Sequence, residues 1–283
     1  MRGRKKWMVL VVLSMFMVSA LLIGGCGKKE EGDKAGDEAG LTGTITIAGS
    51  TSVQPFSEVL AEKFMQDNPR VQINVQGGGS SQGITAAVSG AADIGASSRE
   101  LKAEEKGQGL VETVIAYDGI AIIVNPANKI DNLTREQIRD IYLGNITNWK
   151  EVGGEDAPIT VVCREAGSGT RGAFEEIVME KQDISNKVII QNSTGAVASA
   201  VAGDKNAIGF VSLHALNDKV KAVKVDGVEA KEENIKNGSY KISRPFIYLT
   251  KGEPTGVVKA FIDFVLSEEG QKIMQDEGAV PVK

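Results

Sequence analysis

Short apolar runs alternate with amphipathic stretches along most of the chain. The runs that predict strands lie at residues 44–48, 71–75, 120–124, 159–162, 188–190 and 246–249, and the last four of these indicate buried strands. Apolar residues recur at helical spacing between Ser52 and Phe64 and again between Val257 and Leu266. This alternation of strands and helices predicts an α/β fold with largely parallel sheets.

Two of the predicted helices carry boundary signals. The helix that begins near Ser52 is expected to end at Asn68-Pro69, because proline cannot continue a helix. Thr134 and Gln137 have the spacing of a capping box, and the flanking Leu133 and Ile138 are placed to form a hydrophobic staple. The sequence therefore predicts that a helix starts at this point.

The first 25 residues have the composition of an export signal. Four basic side chains (Arg2, Arg4, Lys5 and Lys6) precede the apolar segment Met8 to Ile23. That segment is shorter than the roughly 20 residues of a membrane span, so cleavage is favoured over a permanent anchor. The following Ile23-Gly24-Gly25-Cys26 resembles a bacterial lipobox, which predicts a lipid on Cys26 and a position on the outer face of the cell membrane. A freely secreted protein is the alternative.

Residues 26–43 are charged, glycine-rich and nearly free of apolar side chains. Such a segment cannot bury enough surface to fold, so it predicts a flexible tether behind the lipidated cysteine. From Thr44 onward the chain has the apolar content of one large domain or two lobes.

Cysteine and charge narrow the functional classes. With Cys26 taken by the lipid, Cys163 has no partner for an intramolecular disulfide, and its apolar surroundings predict a core residue rather than a reactive thiol. The formal net charge is −5. Removing the basic leader takes it to about −9, which is the wrong sign for a nucleic-acid partner. Any anion site must therefore be built locally.

Three strand-to-helix turns combine glycine with hydroxyl side chains. They are Gly49-Ser50-Thr51-Ser52, Gly77-Gly78-Gly79-Ser80-Ser81 and Gly167-Ser168-Gly169-Thr170, the last preceded by Arg164. Serine and threonine cap helices whatever their function, and a single turn of this kind carries little weight. Glycines beside several hydroxyls also permit close backbone approach. The set predicts one small oxyanion held by three helix N-termini.

The inventory of catalytic residues is sparse. His214 is the only histidine in the chain and no serine or carboxylate motif surrounds it, so a histidine-rich metal site is excluded and a Ser-His-Asp triad is disfavoured. Gly167-Ser168-Gly169-Thr170 lacks the lysine of a phosphate-binding loop, which argues against nucleotide hydrolysis. The triplet Asn192-Ser193-Thr194 fits glycosylation, which carries little meaning behind a bacterial lipobox. The chain is predicted to need no cofactor and not to be an enzyme.

Six stretches of the chain carry a family resemblance. The matching stretches, in order along residues 44–283, are Ile47-Ala48-Gly49-Ser50-Thr51-Ser52, Gln76-Gly77-Gly78-Gly79-Ser80-Ser81, Asp93-Ile94-Gly95-Ala96-Ser97-Ser98, Asp140-Ile141-Tyr142-Leu143-Gly144, Arg164-Glu165-Ala166-Gly167-Ser168-Gly169-Thr170 and Ala207-Ile208-Gly209-Phe210-Val211. Together they resemble the substrate-binding component of bacterial phosphate ABC transporters.

The resemblance implies a two-lobed periplasmic-binding-protein fold of type II. Each lobe would be a mixed sheet flanked by helices, and two crossover strands would join the lobes, near Tyr117–Val124 and Ser243–Thr250. Residues 44–118 with 250–283 would form lobe 1, and residues 119–249 would form lobe 2. Proteins of this kind close about a hinge over their ligand.

The resemblance also implies the site. Lobe 1 would contribute Ser50, Thr51, Ser52 and Ser80, and lobe 2 would contribute the charge of Arg164 with the hydroxyls and N–H groups of Ser168, Gly169 and Thr170. Because both lobes contact one phosphate, only the closed state makes every contact.

One position departs from the family pattern. Members with the fullest motif carry an aspartate where this chain has Ser98, followed by Arg99. That aspartate accepts the proton of hydrogen phosphate, which sulfate lacks at neutral pH. We expect Asp118 to replace it, paired with Arg99, or else to be a turn or hinge carboxylate. Ser98, Arg99 and Asp118 complete the predicted ligand set.

The function predicted from these features is phosphate capture for an ABC permease by a lipid-anchored monomer. Sulfate, molybdate or tungstate is the alternative ligand within the same class. An extracellular phosphatase is the alternative from another class, and it would require an activated nucleophile or metal ions.

Overall fold

The computed structural model describes residues 40–282. The predicted export signal, Cys26 and most of the predicted tether lie outside these residues. Within the described range, no helix has both the length and the apolar character needed to cross a membrane.

Strands and helices alternate along the described chain. The strands are β1 (Gly43–Gly49), β2 (Val71–Gly77), β3 (Ile94–Ser97), β4 (Leu110–Val124), β5 (Asn132–Leu133), β6 (Thr160–Arg164), β7 (Ile189–Gln191), β8 (Ala207–Ser212), β9 (Lys221–Ala222), β10 (Lys224–Val225) and β11 (Ser243–Lys251). The α-helices are α1 (Gln54–Asp67), α2 (Ser80–Ser89), α3 (Arg135–Leu143), α4 (Gly169–Ile177), α5 (Thr194–Gly203), α6 (Glu232–Lys236), α7 (Gly256–Val265) and α8 (Glu268–Asp276).

One mixed sheet runs through the described residues in the order β2-β1-β3-β11-β4-β8-β6-β7, with β9 pairing to β4. The strands at each end are parallel: β1 pairs with β2 and β3, and β6 pairs with β7 and β8. The central strands β11 and β4 are antiparallel to their neighbours. The expectation of largely parallel pairing therefore holds at both ends and is wrong in the centre.

Two large apolar cores lie along this sheet. One is built by α1, α7, α8, β1, β2, β3 and the first part of β4 with β11. The other is built by the second part of β4 with α3, α4, α5, β6 and β8. Strand β4 belongs to both, because Leu110–Gly119 pairs with β11 and Ile120–Val124 pairs with β8. The lobe limits 44–118 with 250–283 and 119–249 stay a prediction.

The predicted boundary signals are confirmed. Helix α1 ends at Asp67 with Asn68 as its C-cap. Helix α3 has the full capping box, since the Thr134 side chain accepts from the Gln137 N–H and the Gln137 side chain accepts from the Thr134 N–H.

The apolar run at residues 188–190 is a correction. It predicts a buried strand, but β7 is a short strand at the sheet edge in which Ile189 is 47% and Ile190 is 49% exposed. The reason is position, because β7 pairs only with β6 among the described strands.

Cys163 lies in the second core, as predicted. Its side chain is fully buried in β6, and burial raises the pKa of its thiol to about 11. The thiol is therefore protonated at neutral pH, and Cys163 packs as a small apolar residue.

Candidate functional site

Hydroxyl groups at the starts of three helices form one hydroxyl cluster, made of Thr51, Ser52, Thr170 and Thr194. Ser52 Oγ lies 2.9 Å from Thr170 Oγ1 and 2.9 Å from Thr194 Oγ1. Thr51 Oγ1 lies 3.3 Å from Thr194 Oγ1 and accepts the Thr194 N–H, also at 3.3 Å. Ser52 precedes α1, which packs in the first core, whereas α4 and α5 pack in the second. These hydrogen bonds therefore connect the two cores.

Three further serines, Ser50, Ser80 and Ser98, form a serine cluster beside the start of α4. Ser50 Oγ donates to Ser98 Oγ at 2.9 Å, and Ser80 Oγ accepts the Ser98 N–H at 3.0 Å. A Cβ added at Gly169 would lie 2.2 Å from Ser80 Oγ and 2.6 Å from Ser98 Oγ. Glycine is therefore required at the first residue of α4, because any side chain would push this helix away from the serines.

Helix capping does not explain the hydroxyls at α1 and α2. Neither helix has a side-chain capping bond, and the residue preceding α2 is Gly79. By contrast, Ser168 caps α4 by accepting the Arg171 N–H at 3.2 Å. Ser52 and Ser80 are thus free of the ordinary structural role of serine at a helix start, whereas the Ser168 hydroxyl fills it.

Arg164 brings a positive charge to the hydroxyls. It is the last residue of β6, and its side chain is only 2% exposed. Its Nε and Nη2 donate to the two carboxylate oxygens of Glu165, each at 2.8 Å, and its Nη1 donates to Thr194 Oγ1 at 3.0 Å. These two hydrogen bonds to Glu165 fix the guanidinium in one orientation, with Nη1 directed at the hydroxyl cluster.

Asp118 is fully buried and fully hydrogen-bonded. Its Oδ2 accepts from Nε and Nη2 of Arg244 at 3.2 and 3.0 Å, and its Oδ1 accepts from Ser212 Oγ at 2.9 Å and from the Leu213 N–H at 3.1 Å. Burial raises the pKa of Asp118, although the adjacent Arg244 acts in the opposite direction. Arg244 Nη1 also donates to the Ser98 carbonyl at 3.2 Å. The pair therefore connects β4 and β11 to the serine cluster.

The expected pairing of Arg99 with Asp118 is wrong. Arg99 Nη1 and Nη2 donate to the carboxylate of Glu105 at 2.6 and 2.7 Å, and Nη2 also donates to Ser81 Oγ at 3.1 Å. Arg244 takes the place beside Asp118 because the two residues are directly opposite each other in the β4–β11 pairing. Arg99 is thus held by a local carboxylate.

Two residues of the candidate site, Thr194 and Arg244, are not predicted from the sequence. Thr194 had a signal, since Ser193-Thr194 follows β7 and opens α5 in the same strand-to-helix pattern as the other three turns. Arg244 had none, because its role depends on cross-strand pairing with a residue 126 positions away.

The described residues offer donors for an oxyanion and few groups for other chemistry. Hydroxyls, helix N-termini and one guanidinium converge, which suits a small anion of several oxygens. Within residues 40–282, no three or more His, Cys, Asp and Glu side chains are grouped so as to hold a metal ion. His214 contacts the Phe56 ring, with centroids 4.8 Å apart, and its Nδ1 lies 2.8 Å from the Glu277 carbonyl.

A family model and a relative of known name each match most of the chain. Residues 35–269 match the family model of the PBP superfamily domain. The chain is 37% identical to the phosphate-binding protein PstS of Bacillus subtilis over 287 residues, covering 99% of this chain and 95% of the relative.

Two solved structures are similar to most of this chain. A protein from Clostridium perfringens assigned as a phosphate ABC transporter substrate-binding protein, solved with bound phosphate, is 51% identical, with a TM-score of 0.82 over 85% of this chain and 100% of the other. An ABC-type phosphate transport receptor from Vibrio cholerae is 40% identical, with a TM-score of 0.71 over 83% and 99% of the two chains.

The buried pair yields a stability prediction. Asp118→Ala leaves the Arg244 charge buried without its partner, and we expect the free energy of unfolding to fall by about 3–5 kcal/mol. Urea denaturation of anion-free protein measures this. The matched control is Asp263→Ala, which breaks the exposed ion pair with Lys259 and should cost no more than about 1 kcal/mol. Equal losses in the two variants would contradict the assigned role.

Proposed function

The chain belongs to the phosphate-binding proteins of the PBP superfamily, and on that premise we propose that it captures inorganic phosphate between two lobes and delivers it to an ABC permease. Its fold is the two-lobed periplasmic-binding-protein fold of type II, with a mixed sheet and flanking helices. We propose that the protein works outside the cytoplasm, because its first 25 residues have the composition of an export signal.

The observation that carries the proposal is the hydroxyl cluster shared by the two cores. Ser52 from the first core meets Thr170 and Thr194 from the second, and Arg164 reaches the same cluster. An anion placed among these groups receives donors from both sides. Phosphate therefore stabilises the arrangement in which the cores are in contact, which is the basis of ligand-driven closure.

Selectivity depends on which group accepts the phosphate proton. The four donors around Asp118 occupy its carboxylate, so we propose that its role is to hold Arg244. The Ser98 hydroxyl, beside Ser50 and Ser80, is then the proposed acceptor. A hydroxyl can donate to sulfate as readily as it accepts from hydrogen phosphate, whereas a carboxylate cannot donate.

We also propose that the protein is a lipid-anchored monomer and that binding involves no catalysis. The lipobox-like segment before Cys26 supports the anchor, and the family supports a partner permease. No contact among the described residues activates a hydroxyl nucleophile through His214, whose contacts are with Phe56 and Glu277.

Arg164→Ala tests the binding site. Charged hydrogen bonds contribute roughly 1.5–3 kcal/mol each, so we expect phosphate affinity to fall by at least about tenfold. Isothermal titration of phosphate-stripped protein measures this, with Arg135→Ala as control because Arg135 is half-exposed and pairs with Asp226. Unchanged affinity in a folded Arg164 variant would remove this residue from the site.

A separate assay tests for catalysis. Steady turnover of a chromogenic phosphate ester by the unsubstituted protein, with or without divalent metal, would contradict a binding role.

Sulfate competition tests the acceptor. With a hydroxyl as acceptor, we expect phosphate to be preferred over sulfate by less than the roughly 10⁴-fold that an unpaired buried polar group produces. Competitive titration gives this ratio, and Asp118→Asn should leave it unchanged. Stronger rejection of sulfate that is lost in Asp118→Asn would instead identify Asp118 as the acceptor.

Cys26→Ser tests the anchor. If a lipid on Cys26 carries the membrane attachment, the variant should leave the membrane fraction while still binding phosphate. Fractionation of cells followed by phosphate titration of the released protein measures both properties. Retention of the variant in the membrane would show an uncleaved anchor instead.

A further inference from the structure

Helix α4 makes a second close approach to the first core, one turn beyond Gly169. A Cβ added at Gly172 would lie 2.9 Å from Arg99 Cδ and 3.5 Å from Arg99 Nε. The neighbours of Gly172 in α4, Ala173 and Phe174, pack in the second core, whereas Arg99 follows β3, which packs in the first. Gly172 and Arg99 are therefore a contact between elements of different cores.

The Arg99 side chain is held too firmly to move aside. Both terminal nitrogens donate to Glu105, and further bonds run to Ser81 Oγ at 3.1 Å and to the Glu100 carbonyl at 2.8 Å. Arg99 is only 6% exposed. Its aliphatic stem thus forms a fixed surface against which α4 rests.

Gly172 lies on the same face of α4 as Gly169, which adjoins the candidate site. Residues three apart in a helix are neighbours on one side, so Gly172 and Gly169 both face the first core. Gly169 lies against the serine cluster, and Ser81 donates its N–H to the Gly167 carbonyl at 3.1 Å. The position of α4 against Arg99 therefore determines how closely the donors of α4 approach those of α1 and α2.

We propose that Gly172 and Arg99 form the stop that sets how far the two lobes close, and that this contact determines phosphate affinity although neither residue needs to touch the anion. The inference rests on the proposed function. Unbonded carbon atoms prefer a separation of about 3.5–4.0 Å, so a methyl group at Gly172 would move α4 outward by roughly 0.5–1 Å. A shift of that size would stretch the 2.9 Å bond between Ser52 Oγ and Thr170 Oγ1 past the usual limit.

Gly172→Ala is the test, with Gly203→Ala as matched control. Gly203 is also helical, at the end of α5, and a Cβ there meets nothing within 4 Å. We expect Gly172→Ala to weaken phosphate binding by about tenfold or more and the control to stay within about twofold. The Tm without phosphate should not fall in Gly172→Ala, because alanine is the better helix former.

A double-mutant comparison distinguishes a stop from a local effect. In an Arg99→Ala background, the penalty of Gly172→Ala should shrink to about twofold, because the surface that the new methyl meets is gone. Equal penalties in both backgrounds, full affinity in Gly172→Ala, or a lower Tm without phosphate would each overturn the proposal. Failure of the proposed function shows differently, as an absence of phosphate binding by the unsubstituted chain.

Discussion

The buried ion pair between Asp118 and Arg244 is the interaction on which the rest of the structure depends. It connects β4 to β11 where β4 passes from one core to the other, and the two residues are directly opposite each other in the strand pairing. Its remaining bonds reach Ser212 at the end of β8, the adjacent Leu213 N–H, and the carbonyl of Ser98, the residue after β3. A buried pair of this kind fixes one alignment of its strands, since a slip would leave two uncompensated charges inside the protein.

That alignment positions the donors of an anion site in a protein of net negative charge. With β3 and β8 fixed, the starts of α1, α2, α4 and α5 face one another, and their hydroxyls bond across the two cores. Helix N-termini and the guanidinium of Arg164 supply local positive potential, which does not require a basic surface. In the proposed site the donors come from both cores, so binding and closure would be one process.

The sequence predicted most of the elements, because hydrophobic period, capping residues and proline act locally. It predicted the three turns that bear Ser52, Ser80 and Thr170 for the same reason. It missed Arg244, because its partner Asp118 is 126 positions away and is brought beside it only by strand pairing. It misassigned Arg99, whose partner is Glu105, six residues along the same chain in the loop that follows β3. It overlooked Thr194 although the strand-to-helix pattern was present, since that triplet was interpreted only as a glycosylation signal.

The central claim is that one phosphate ion is held by hydroxyls of both cores. The most direct test is a crystal structure of the phosphate-stripped protein after phosphate is returned. The account predicts phosphate oxygens about 2.7–3.0 Å from Ser52 Oγ and Thr170 Oγ1, with the Arg164 guanidinium bonded to the same ion. A phosphate bound to one core alone, or at a place without Arg164, would contradict it.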